Sequence, residues 1–139
     1  MNDPSIIERS VEKAHIWLND IAEAMETEDH QLAYRVLRAY LHALRDRLPV
    51  DKAAQLAAQL PDLIRGIYYE GWNPSGTPVK YRGYADFLDR VAGEALLEGE
   101  TEASYAVGAA AEVLRRHVSA GEIEDVRAIL PEELRPILA

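Results

Sequence analysis

Apolar residues recur along most of this chain at steps of three and four, the spacing of one helix face. Ile7, Val11, Ala14, Leu18, Ile21 and Met25 form the first such stripe. Asp3 followed by Pro4 supplies an N-cap and a first helical position for it. From about Asp29 to Leu48 a second stripe runs through Ala33, Val36, Leu37, Tyr40, Leu41, Leu44 and Leu48. A short third helix is expected after Pro49. It ends at Leu60-Pro61, because the residue before a proline is pushed out of the helical region. Pro61 then opens a fourth helix, with Asp62 in the first turn, where the helix dipole favours a negative charge. No stretch alternates apolar and polar residues for long, so the pattern predicts an all-α protein.

The pattern then repeats. "LPDLIR" at 60–65 returns as "LPEELR" at 130–135, an offset of 70. Without a gap, the same offset brings Trp17, Leu18, Ile21 and Ala22 onto Phe87, Leu88, Val91 and Ala92. It also brings Leu44-Arg45 onto Leu114-Arg115, and Arg65 onto Arg135. Over the 52 pairs from 17/87 to 68/138 there are 12 identities, and the apolar positions match more widely than that. A search for such periods comes before any assignment of fold. The expectation is one domain over 1–139, with about eight helices in two tandem, pseudo-symmetric four-helix units, 17–68 and 87–138, sharing one core. In the second unit Ser119 and Glu122 have the spacing of a capping box. Gly108 and the alanines around it predict the most enclosed helix of the molecule.

Between the units, at about 69–86, the periodicity fails. "YYEGWNPSGTPVKYRGY" runs from Tyr68 to Tyr84, and "NPSG" and "TP" are turn signals. Six of the ten aromatic residues lie between Tyr68 and Phe87. Such a cluster either splints an irregular connection through burial, or walls a pocket with polar tips. Tyr69, Trp72, Tyr81 and Tyr84 are therefore candidate binding residues. Arg35, Arg38, His42 and Arg45 are a second candidate set, lying within about 80° of one another on the helix wheel. As a stripe they can dock an acidic or phosphorylated partner. Otherwise they form a solvated face paired with Asp20, Glu23 and Glu26 of the first helix. Arg65 and Arg135, kept by the repeat, are expected to reach carbonyls at a neighbouring helix end.

Composition narrows the chemistry. The chain has no cysteine, which excludes disulfides, thiolate metal sites and cysteine nucleophiles. Its net charge of −9 repels a phosphate backbone and argues against general nucleic-acid binding. The balance is uneven, since residues 32–48 carry four arginines against the single acid Asp46. The N-terminus lacks the pattern of a signal peptide and no apolar run is long enough to span a membrane, so a cytoplasmic setting is expected. Glu12 and His15 form one E-x-x-H; a di-iron bundle needs two, with further glutamates, and no second appears. No cofactor or metal is expected. Nucleophile-elbow, Walker, dinucleotide and zincin patterns are likewise missing.

"LPVDKAAQLAAQLPDLIRGIYYEGWNP" and "HVSAGEIEDVRAILPEELRPIL" resemble the two halves of a prokaryotic family, domain of unknown function 2267. The resemblance covers the chain from about Ala14 to the C-terminus. It implies a compact helical protein and assigns no catalytic or ligand residues. The functional expectation is an interaction or scaffolding module, monomeric or weakly dimeric, without chemistry of its own. The alternative is a small-molecule binder or enzyme with a pocket where the units meet, near Trp72 and Tyr81.

Overall fold

The computed structural model describes residues 4–139. Seven α-helices are α1 (Ser5–Ala24), α2 (His30–Arg47), α3 (Val50–Ala57), α4 (Asp62–Tyr69), α5 (Tyr84–Ala95), α6 (Glu100–His117) and α7 (Ala120–Ile129). A 3-10 helix, Glu132–Leu138, closes the chain, and a single 3-10 turn, Pro74–Gly76, lies in the connecting segment. The protein is all-α, and the described residues contain no strand. Among the described residues, no helix is long and apolar enough to cross a membrane.

The punctuation does what the sequence reading asks of it in most places. Asp29 caps α2 by accepting from the Leu32 N–H at 3.0 Å. Pro49, Pro61 and Pro131 each stand in extended backbone just before a helix. The expected Asp3 cap lies outside the described residues, and α1 starts directly after Pro4.

Two expectations are corrected. Ser119 does cap α7, accepting from the Glu122 N–H at 3.2 Å. Glu122 does not complete the capping box, however. The Ser119 N–H goes to Gln59 Oε1 at 2.9 Å, and Glu122 turns inward to accept from Gln55 Nε2 at 2.8 Å. A glutamine at the end of α3 is closer to hand than the helix's own N3 residue once α3 and α7 pack together. Second, α6 is not the most enclosed helix. It buries eight of its eighteen residues, whereas α2 buries ten. Gly108 is exposed, and a Cβ added there meets nothing within 4 Å, so no backbone approaches it.

One continuous core joins all eight helices. α1 packs on α2 and α6, while α5 packs on α6 and α2. α4 packs on α1 and α2, and the closing 3-10 helix on α5 and α6. Direct contacts of α2 with α6, and of α3 with α7, complete the interior. Tyr40 crosses it, donating to the Ile137 carbonyl at 2.7 Å from a fully buried position.

Local details also recur 70 residues apart. α2 and α6 start at 30 and 100, α3 and α7 at 50 and 120, α4 and the 3-10 helix at 62 and 132. Glu26 and Leu96 both adopt the left-handed conformation, with φ of 54° and 61°. Beside them, Thr27 and Leu97 each donate back to the carbonyls of Ala22 and Ala92 at 2.9 Å. This is the long bond of a Schellman ending, normally built on glycine. Proline at 136 stands where the first half has Gly66. Proline removes a donor and crowds the preceding turn, and the fourth element is accordingly wound as 3-10 rather than α.

Candidate functional site

The arginine stripe and the aromatic stretch, separate in sequence, meet in one network. Arg45 is 4% exposed and donates through Nη1 to the carbonyls of Tyr68 and Glu70, both at 2.8 Å. Its Nε binds Asp46 at 2.8 Å. The Val79 N–H donates to the Asp46 carbonyl at 2.8 Å, and Arg47 Nε donates to the Tyr81 carbonyl at 2.7 Å. Thus three consecutive residues at the end of α2 hold the connecting segment at both of its ends.

Farther up α2, the stripe reaches α5. Arg35 Nε donates to the Ala95 carbonyl at 3.0 Å, at the α5 C-terminus, where the helix leaves carbonyls unpaired. Arg38 bridges Glu94 and Glu70, and hydrogen bonding to Arg38 lowers the Glu70 carboxyl below its ordinary range. His42, almost fully buried, sets Nδ1 2.8 Å from Glu94 Oε2 and Nε2 2.7 Å from the Ile67 carbonyl. The stripe is therefore only partly solvated, and its partners lie on α5 and around the end of α4 rather than on α1. The wheel angle groups residues on a face but does not say what covers that face.

Among the aromatics, Tyr68 and Phe87 are completely buried, whereas Tyr69, Trp72, Tyr81 and Tyr84 are half-buried. The Trp72 ring leans on Tyr69 with centroids 5.2 Å apart. Tyr81 lies between two guanidinium groups, Arg47 at 5.7 Å and Arg90 at 5.2 Å from its ring. Burial pushes its hydroxyl up to about 12. Trp72 Nε1 and Tyr81 Oη are buried and have no hydrogen-bond partner among the described residues. Tyr84 approaches Ser104 on α6 at 3.4 Å.

A groove of about 610 Å³ opens elsewhere, between the first half of α1, the corner joining α3 to α4, and the end of α6. Trp17 and His117 stack at 4.8 Å beneath it. His117 Nε2 is fixed on Asp20 Oδ2 at 2.6 Å, and Arg116 adds a contact to the same carboxylate at 3.3 Å. Arg9, Lys13 and Arg65 bring three cations to the walls, against the one acid Asp62. Nothing in the sequence flagged this site, because Asp20 and His117 are separated by most of the chain.

Arg65 behaves as expected, donating to the Ala57 and Leu60 carbonyls at 2.9 and 2.8 Å at the end of α3. Arg135 does not; it is exposed, and Arg115 and Arg127 bind the Leu138 carbonyl instead. Four residues of 3-10 winding turn a side chain about 80° farther than four residues of α-helix, which carries Arg135 away from the equivalent carbonyls. Glu12 and His15 are both exposed, beside Val11 and Ile16 on α1.

A model for uncharacterized conserved proteins (DUF2267) matches residues 14–137. The chain belongs to this family. No curated protein matches it. The DUF2267 match begins at Ala14, 70 residues before the start of α5 at Tyr84. The nine residues Ser5–Lys13 lengthen α1 ahead of that point, and they supply Ile6, Arg9, Ser10 and Lys13 to the groove.

Proposed function

We propose that this DUF2267 protein is an interaction module built on a duplicated four-helix unit, with binding concentrated in the N-terminal part of α1, which precedes the first copy and has no helical counterpart before the second. The observation that carries this reading is the N-terminal half of α1. Ile6, Ile7, Val11 and Ile16 are 57%, 46%, 43% and 49% exposed. A helix on a domain surface ordinarily turns its apolar stripe inward. Clustered apolar side chains left in water mark a site of association. The duplication is supported by the matched helix starts, the paired left-handed caps and the Arg45 and Arg115 bonds to carbonyls at 68 and 138.

The test is native mass spectrometry of untagged protein from its own host, beside an Ile7→Glu/Val11→Glu variant. A macromolecule retained by the parent and lost by the variant supports the module. A parent that carries no macromolecule, or a variant that keeps it, refutes this placement of the interface. A second reading, a small-molecule binder near Trp72 and Tyr81, is favoured by the two unpartnered donors there. The same spectra distinguish it, as a small-mass adduct that disappears in Trp72→Phe.

A further inference from the structure

Charge is segregated across α1. Arg9 and Lys13 lie one turn apart and line the groove, whereas Glu8 and Glu12, also one turn apart, are not among its walls. Like charges at this spacing repel and weaken a helix by a few tenths of a kcal/mol per pair. An anion held between Arg9 and Lys13 turns that repulsion into a shared attraction. In a chain with net charge −9, a groove with three cations and one acid is a local exception. Arg65 is already oriented, since its Nε and Nη2 are bound to carbonyls, while Nη1 stands 3.8 Å from Asp62 Oδ1, too far for a hydrogen bond. Apolar surface from Ile6, Ile16, Leu60 and Pro61 shares the same walls. The volume lies within the range of about 300–1,000 Å³ that small-molecule sites occupy.

We propose that this groove binds an anionic amphiphile. A phosphate, sulfonate or carboxylate head is held by Arg9, Lys13 and Arg65, and its apolar body lies on Ile16, Leu60 and Pro61 above the Trp17–His117 stack. The groove takes Ile6 and Ile16 from the exposed apolar set on α1, whereas Ile7 and Val11 lie outside its walls, so variants at Ile7 and Val11 test the macromolecular interface without altering the groove.

The experiment uses the full chain with two probes, 8-anilinonaphthalene-1-sulfonate and dodecyl phosphate below its micelle concentration. Fluorescence and calorimetry should show saturable one-site binding, with each probe displacing the other and affinity falling as salt is raised. Arg9→Gln/Lys13→Gln should weaken binding about tenfold or more by removing charge-assisted contacts. Both residues are exposed, so its melting temperature should match the parent's, and single Lys13→Gln gives the same direction if the double variant misfolds. Ile7→Gln should bind as the parent does. Co-sedimentation with phosphatidylglycerol vesicles sorts the source: binding to vesicles and to the monomer identifies a lipid headgroup, binding to the monomer alone a soluble amphiphile. The proposal is overturned if neither probe binds saturably, if neutral dodecanol displaces the dye as well as dodecyl phosphate does, or if the charge variants bind like the parent.

Discussion

α2 and α6 are each eighteen residues long, start 70 residues apart and bury the same ladder of apolar positions, yet their polar faces have little in common. On α2, Arg35, Arg38, His42 and Arg45 reach Ala95, Glu94, Glu70, Ile67 and Tyr68. The corresponding residues of α6 are Tyr105, Gly108, Glu112 and Arg115, all exposed, with Arg115 alone keeping the bond to a carbonyl 23 residues on. The apolar ladder stays buried in both helices even where its residues change size, as Tyr40 and Leu41 do against Ala110 and Ala111. The polar face follows whatever lies over it, and the connecting segment and the end of α5 lie over α2. A similar contrast separates the helices that precede them. The residues 70 on from Ser5–Lys13 of α1 belong to the connecting segment, which α2 ties down through Asp46 and Arg47.

The comparison is most open to breakage in the ladder. Leu44→Ala and Leu114→Ala should each cost about 2–5 kcal/mol, because both side chains are buried in the shared core. Urea midpoints measure this, and a tolerated change at either position means that the halves do not share one core. Next comes the carbonyl hook. Arg45→Ala should cost about 3 kcal/mol, since it leaves the buried Tyr68 carbonyl, and the partly buried Asp46 carboxylate and Glu70 carbonyl, without a partner. Arg115→Ala, on an exposed residue with one such bond, should cost less than about 1 kcal/mol. Equal losses at the two sites mean that the environment over α2 adds nothing.

Tyrosines give a finer contrast. Tyr68→Phe loses a buried bond to the Ala53 carbonyl at 2.8 Å and should cost about 1 kcal/mol. Tyr81→Phe removes an unpartnered hydroxyl and should be neutral or stabilising. Burial raises Tyr40, Tyr68 and Tyr81 above the ordinary tyrosine value, Tyr81 to about 12. A raised folded value means that the stabilising contribution is complete below the unfolded value of about 10 and is lost as pH climbs above it. Thermal midpoints should therefore fall above about pH 10, and the share of tyrosinate absorbance that belongs to these three should rise together with unfolding. Ionisation of all seven tyrosines before unfolding contradicts the burial of these three hydroxyls.

The smallest effects concern the paired left-handed caps. Glu26→Gly and Leu96→Gly should each stabilise by about 0.5–1 kcal/mol, relieving a conformation that costs other L-residues about that much. Leu96 is 74% exposed, so its side chain has little packing to lose. Stabilisation at only one of the two positions separates the helix endings that the 70-residue register equates.

Much of the fold is legible because its signals are local. Steps of three and four locate α1 and α2, the 70-residue register carries that plan onto α5 and α6, Ser119 marks its own helix start, and prolines end or precede four elements. Even the 3-10 winding of the last element has a one-letter cause in Pro136. The sites are illegible for the opposite reason. His117 meets Asp20, and Arg38 meets Glu94, only after the chain has folded, so spacing carries no trace of either pair. Periodicity also cannot tell a covered stripe from an uncovered one. Ile21 and Met25 are buried, yet Ile7 and Val11, on the same predicted stripe, stand in solvent.

That uncovered half-stripe is where binding is proposed, so its role in folding is the decisive quantity. The measurement is thermal unfolding of a chain that begins at Ala14, compared with the full chain. The account predicts one cooperative transition with a midpoint within about 5 °C of the parent's, because the described residues among those removed, 4–13, contribute little buried surface. Loss of cooperative unfolding, or a much larger fall in the midpoint, would contradict it and make the Ser5–Lys13 extension part of the core's support.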